Sequence, residues 1–163
     1  MVIRRAGAFL VDMVILFTVL APTGFLIQRS LGYEPQTGLA IWRAILWNFS
    51  LPSWLYFTLS DRSTQGATFG KRLFGLRVTD TTGVQLSWRQ ALGRTAVKLL
   101  PWELVHLSVF ALSSDLSHFS LGQSIGLATA NGLIILYLIV ALATHGRRSV
   151  HDFVAATEVT EAV

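Results

Sequence analysis

Residues 4–17, RRAGAFLVDMVILF, set two arginines before an apolar run and a carboxylate, Asp12, inside it. The run extends over roughly Ala6–Ile27, and about 20 such residues suffice to cross the hydrocarbon layer. Its basic start and the absence of a small-residue cleavage site read as a retained span rather than a removable leader. A carboxylate at mid-span costs about 2.5–3.5 kcal/mol on insertion scales, so Asp12 is expected to face protein or water and to have a partner. Arg5 and Asp12 are seven residues apart, two turns on one helical face, with Ala8 between them. The rise between them is roughly 10 Å, too far for an easy direct contact. Two readings follow: a proton- or cation-binding carboxylate tuned by Arg5, or interhelical glue pairing Asp12 with a basic residue elsewhere.

The rest of the chain has the same character. Of 163 residues, 52% are hydrophobic and 13% charged, and mean hydropathy is +0.55. Soluble domains carry about 25% charged residues, so lipid is the expected solvent. There is no Cys, which excludes disulfides, iron–sulfur clusters and thiol catalysis. The net charge of +4 fits anionic headgroups better than nucleic acid in so apolar a chain. Four spans are expected, at roughly 6–27, 41–59, 97–113 and 121–143. The second carries Trp42, Trp47, Trp54 and Tyr56, aromatic residues that favour headgroup depth. The third is weakest around Pro101–Leu112, with Glu103 and His106, and spans only if it begins near Val97.

Basic residues orient these spans. With both ends cytoplasmic, the inner segments hold eleven of the thirteen Lys and Arg. Arg29 and Arg43 remain outside, and the loop at 113–120 has neither Lys nor Arg. That distribution obeys the positive-inside rule. The expected fold is therefore an all-α integral membrane protein, one domain over residues 1–163, with a four-helix transmembrane bundle in the inner or plasma membrane.

Between spans two and three, Leu76–Ser87 (LRVTDTTGVQLS) alternates, matching Leu76 and Val78 with Val84 and Leu86 across Asp-Thr-Thr-Gly. This predicts a cytoplasmic hairpin. Ser87 and Gln90 have capping-box spacing. The helix they start places Trp88, Ala91, Leu92, Thr95, Ala96 and Leu99 on one stripe, with Arg89, Arg94 and Lys98 off it. This predicts an interfacial amphipathic helix that Pro101 ends or bends. Lys71, Arg72, Arg77, Arg89, Arg94 and Lys98 are the expected contacts for anionic lipid headgroups.

Familiar catalytic and cofactor motifs fail by spacing. Gly66 and Gly70 enclose three residues where a nucleotide loop needs four, and Arg72 stands where Ser or Thr would bind magnesium. His145 and His151 have no third ligand spaced for zinc. No nucleophile elbow or His-Glu-x-x-His occurs, so no catalytic residue, metal or cofactor is expected. His151-Asp152 reads as a proton relay, or else Asp152 caps a short helix or pairs with Arg147 or Arg148. His106 reads as a relay member or as a packing residue.

Three ordered blocks together resemble the RDD family of small bacterial and archaeal membrane proteins. They are Arg5-Ala-Gly-Ala-Phe-Leu-Val-Asp12, Gly66-Ala-Thr-Phe-Gly-Lys-Arg-Leu-Phe-Gly-Leu-Arg-Val78 with Leu86-Ser87 and Arg94, and Arg148-Ser-Val-His-Asp152-Phe with Thr157. The resemblance implies that the namesake arginine is Arg5, with Arg4 as its rival, and that the aspartates are Asp12 and Asp152. It implies no established molecular role, although transport is suspected for the family and cation/proton exchange ascribed to some members. The expected function is a proton- or cation-coupled transporter or exchanger using Asp12, Arg5, Asp152 and His151. The alternative is a non-transporting accessory or scaffold protein that binds anionic lipid or a partner complex. Four short spans enclose little volume, so a transport pathway calls for a homo-oligomeric or partner interface.

Overall fold

The computed structural model describes residues 1–112 and 118–162. Its helices and strands are α1 (Val2–Ser30), α2 (Gly38–Ile45), α3 (Leu51–Arg62), α4 (Phe69–Leu73), β1 (Leu76–Asp80), α5 (Trp88–His106), α6 (Leu121–Ala143), α7 (Val150–Val154) and β2 (Thr157–Glu161). A π-helical segment, Leu46–Ser50, joins α2 to α3, and another, Leu107–Ala111, extends α5. Helix therefore runs unbroken over 38–62 and 88–111. The third expected span ends at residue 113, and the expected loop at 113–120 falls largely on residues 113–117; these lie outside the described residues.

Two helices, α1 and α6, are long and apolar enough to cross a membrane. Their most apolar windows are only 17% and 6% buried, whereas a core helix of a soluble protein is mostly covered. Ile134, Ile135, Leu138 and Ile139 are all more than half exposed. Such a face needs hydrocarbon around it.

Pro101 does not end α5. Its ring nitrogen has no hydrogen to donate to the carbonyl of Val97, four residues back. The hydroxyl of Tyr137 donates to that carbonyl instead, at 2.6 Å, so the helix continues without an orphaned acceptor.

The chain divides into two compact units. The first comprises 1–15, 54–98 and 135–163. Its core is Ala8, Leu76, Val78, Leu86, Ala91 and Val159, with Met1 and Phe74 packed against it. The expected hairpin is not what forms, and the fold is not wholly helical. β1 pairs antiparallel with β2, Val78 opposite Val159 and Asp80 opposite Thr157. The turn itself is present: the Asp80 carboxylate accepts from the amides of Thr82 and Val84, at 2.8 and 2.9 Å. Beyond it the chain leaves the sheet. Val84 is 60% exposed while Leu86 enters the core, and Ser87 and Gln90 exchange the bonds of a capping box at the start of α5. Thr157 and Val159, both buried, offer β1 an apolar partner face that Val84 does not.

The second unit comprises 16–53 and 99–134. Phe17, Phe49 and Trp102 cluster with ring centroids 4.8–6.0 Å apart. Ser50 donates to Glu103 at 3.0 Å, and His106 packs edge-on against Trp102. Gly126 lets Ser108 approach closely: a Cβ there would stand 2.8 Å from the Cβ of Ser108.

Candidate functional site

The first unit gathers the charges singled out in the sequence, but pairs them differently. Asp12 is 1% exposed and accepts three bonds. The hydroxyl of Thr68 donates to Oδ2 at 2.6 Å, the amide of Gly70 to Oδ1 at 2.7 Å, and the hydroxyl of Tyr56 to Oδ1 at 2.7 Å. All three donors are uncharged. Among the described residues Asp12 enters no ion pair.

The segment that surrounds it explains the Gly66–Val78 block. Gly66 adopts φ +58°, and its carbonyl accepts from the amide of Val78 at 2.7 Å. Thr68 caps α4 by accepting from the amide of Lys71 while its hydroxyl serves Asp12. Gly70 brings α4 against α1, where a Cβ would lie 2.1 Å from the carbonyl oxygen of Ala8. Only glycine permits that approach.

Arg5 turns to the other end of the sequence. Its Nη2 lies 2.6 Å from Oδ2 of Asp152, and its Nη1 donates to the carbonyl of Gly146 at 3.0 Å. Asp152 also takes Nε of Arg94 on Oδ1 at 3.0 Å. The same arginine pairs through Nη1 with Oδ2 of Asp61, and Asp61 takes the ammonium of Lys71 at 2.5 Å on its other oxygen. The result is a chain of alternating charge: Arg5, Asp152, Arg94, Asp61, Lys71. Asp61, Asp152 and Arg94 are at most 1% exposed. Asp152 in addition accepts from the amide of Ser149 and the hydroxyl of Thr157, closing a capping box on α7.

The helix-capping reading of Asp152 thus corresponds to its geometry, whereas its ion-pair partners are Arg5 and Arg94 rather than Arg147 or Arg148. Arg147 instead meets Glu158 at 3.0 Å on an exposed edge. Arg148 lies over Phe153 and donates to the carbonyl of Thr157. Arg4, the rival namesake, bonds the carbonyl of Phe74 and the exposed Glu161.

The expected list of headgroup contacts needs correction. Lys71 and Arg94 are buried and committed to carboxylates, and Lys98 is half-buried over the rings of Phe57 and Phe9. Arg94 lies off the apolar stripe of α5 because buried carboxylates, invisible to helical periodicity, receive it. Arg72 and Arg89 are exposed and Arg77 half-buried. Asp61 escaped the sequence reading altogether. Its one signal is a carboxylate just past the end of a span in Leu-Ser-Asp61-Arg-Ser.

Burial alone would raise the Asp61 carboxyl, but the charges of Lys71 and Arg94 overcome it and hold it well below the usual range. Asp152 is held low against burial by the charges of Arg94 and Arg5. Burial pushes Lys71 down from 10.5 to about 8, with Asp61 opposing. Burial also drives His151 well below its ordinary value, so its ring stays neutral beside Arg5 and Asp152.

These shifts carry a sign. His151 and Lys71 bind fewer protons folded than unfolded, so stability rises with pH wherever the unfolded chain holds the extra proton. For His151 that window lies below about 6.5, and for Lys71 it lies between about 8 and 10.5. Thermal melts of the detergent-solubilised chain should shift upward from pH 5.5 to pH 9. A melting temperature falling steadily across that range would contradict these shifts.

Among the described residues no group of three His, Asp or Glu is placed to hold a metal ion. What the arrangement does chemically is fix charges: it ties the start of α1 to α7 through Asp152, and the end of α3 to α4 and α5 through Asp61. Compared with known proteins, the chain matches the model of the RDD family over residues 1–156. No curated protein and no solved structure matches it.

Proposed function

The chain belongs to the RDD family, and on that premise we propose that this membrane protein is a non-transporting accessory or scaffold protein. Its buried arginines and aspartates clamp a cap of α4, α7 and the two strands to the membrane helices. The observation that carries this reading is the state of Asp12. The carboxylate best suited by position to bind an ion is engaged by three protein donors, Thr68, Gly70 and Tyr56, and the arginine expected to tune it is bound to Asp152. Exposed Arg72 and Arg89, with half-buried Arg77, supply the basic surface for anionic lipid or an acidic partner.

In this reading the chain crosses the membrane four times with both ends in the cytoplasm. Two observations support it: helix runs unbroken over 38–62 and 88–111, and eleven of the thirteen basic residues fall in the first unit, leaving Arg29 and Arg43 to the second. Cation segregation of this kind is what the positive-inside rule demands of a cytoplasmic side.

Proton- or cation-coupled exchange is the second reading. It is favoured by Lys71, a buried amine brought to about 8 and sharing Asp61 with Arg94. Asp12→Asn separates the two. As a scaffold, the variant loses stability or assembly, and the wild type shows no ion flux in proteoliposomes. As an exchanger, the wild type shows flux and the variant, still folded, loses it. Vesicle binding that persists unchanged in high salt would remove the role given to Arg72, Arg77 and Arg89.

A further inference from the structure

Half-buried Lys98 is left unpaired by the buried carboxylates of the first unit, Asp12, Asp61 and Asp152. The salt bridges consume Arg5, Lys71 and Arg94, and none among the described residues involves Lys98. Its ammonium sits 3.4 Å from the ring centroid of Phe57 and 4.9 Å from that of Phe9. Two aromatic faces attract a cation, but they leave an ammonium's three N–H donors without a strong acceptor.

Two further donors lie on the same two helices, α3 and α5. The hydroxyls of Thr58 and Thr95 are buried and have no hydrogen-bond partner, in residues 7% and 0% exposed. Two contacts between α3 and α5 bracket them: Asp61 with Arg94 at one level, and Phe57 with Lys98 at the next. Thr58 lies between Phe57 and Asp61 in sequence, and Thr95 between Arg94 and Lys98. Both threonines thus occupy the turn that separates the two contacts, about 5.4 Å along the axis.

We propose that Lys98, Thr58 and Thr95 form a binding site for a small monovalent anion, of halide type. Such an ion accepts from all three groups at once and offsets the charge of the Lys98 ammonium. A neutral water could satisfy the hydroxyls but would leave the charge. The site is separate from the ion-pair chain, none of whose members gives up a partner.

The test uses the full chain in nanodiscs, melted in sodium chloride and in sodium gluconate at matched ionic strength. Chloride should raise the melting temperature saturably, as for a ligand that binds the folded state alone. Lys98→Met keeps the length and apolar stem of the side chain and should abolish the difference. Thr95→Val, nearly isosteric, should weaken the apparent chloride affinity about tenfold, as for one lost hydrogen bond to a charged group. Saturable broadening of the chloride NMR line by the wild-type chain reads the site without any variant. Equal melting in the two salts with no saturable broadening overturns the proposal, as does a chloride effect that survives in Lys98→Met.

Discussion

Asp152→Ala is expected to abolish accumulation of folded protein in the membrane. The substitution leaves Arg94, which is 1% exposed, with one carboxylate instead of two, and leaves Arg5 with only the carbonyl of Gly146 and the ring of His151. Breaking a buried ion pair by removing one partner costs about 3–5 kcal/mol, because an uncompensated charge remains. Losing the cap of α7 adds about 1 kcal/mol. Asp152→Asn should not rescue it, since an amide nitrogen would face the arginine donors. The matched control is Glu158→Ala, which removes an exposed pair with Arg147 and should stay within about 0.5 kcal/mol of wild type. Membrane yield and thermal unfolding in detergent measure both. A well-folded Asp152→Ala chain would mean that the charge chain does not hold the unit together.

The second large effect comes from a single methyl group. In Gly70→Ala the new Cβ would stand 2.1 Å from the carbonyl oxygen of Ala8 and 2.9 Å from Oδ1 of Asp12. The first neighbour is backbone and cannot swing away. Either α4 backs off from α1, breaking the Gly70 amide bond to Asp12, or α1 bends. Overpacking of this kind costs about 1–3 kcal/mol, and the half-stranded buried carboxylate adds its own penalty, about 1–3 kcal/mol. Gly93→Ala is the contrast. Nothing lies within 4 Å of a Cβ there, so the better helix former should stabilise α5 by up to about 1 kcal/mol. Equal melting temperatures for the two variants would refute the close approach of α4 and α1.

How much of this was legible in the sequence differs from residue to residue. Asp12 was legible because a carboxylate inside an apolar run needs a partner wherever it sits. Its partners were not. Thr68 and Gly70 are more than fifty residues away, and uncharged donors leave no electrostatic mark in a sequence. The capping box at Ser87–Gln90 was legible because it is local. The strand pairing was misread for the same reason: a hairpin pattern weighs only near neighbours, and the partner of β1 lies near residue 159. Arg94 was assigned to the lipid surface because helical periodicity reports which residues are apolar, not which buried charge awaits them. Asp61 is the largest omission, since a carboxylate at the end of an aromatic-rich helix carries no local mark of the buried Lys71 and Arg94 that meet it.

The contact between Arg5 and Asp152 spans 147 residues, and that separation has a consequence in time. At about 5–20 residues per second, a ribosome takes roughly 7 to 30 s to pass from one to the other. By the end of that interval Arg5, Asp61 and Arg94 are all made while the carboxylate that unites them is not. β1, likewise, waits for β2, whose Val159 follows its partner Val78 by 81 residues. The first helices of the nascent protein are therefore made with the lock open, and the cap closes only once Asp152 and β2 have followed.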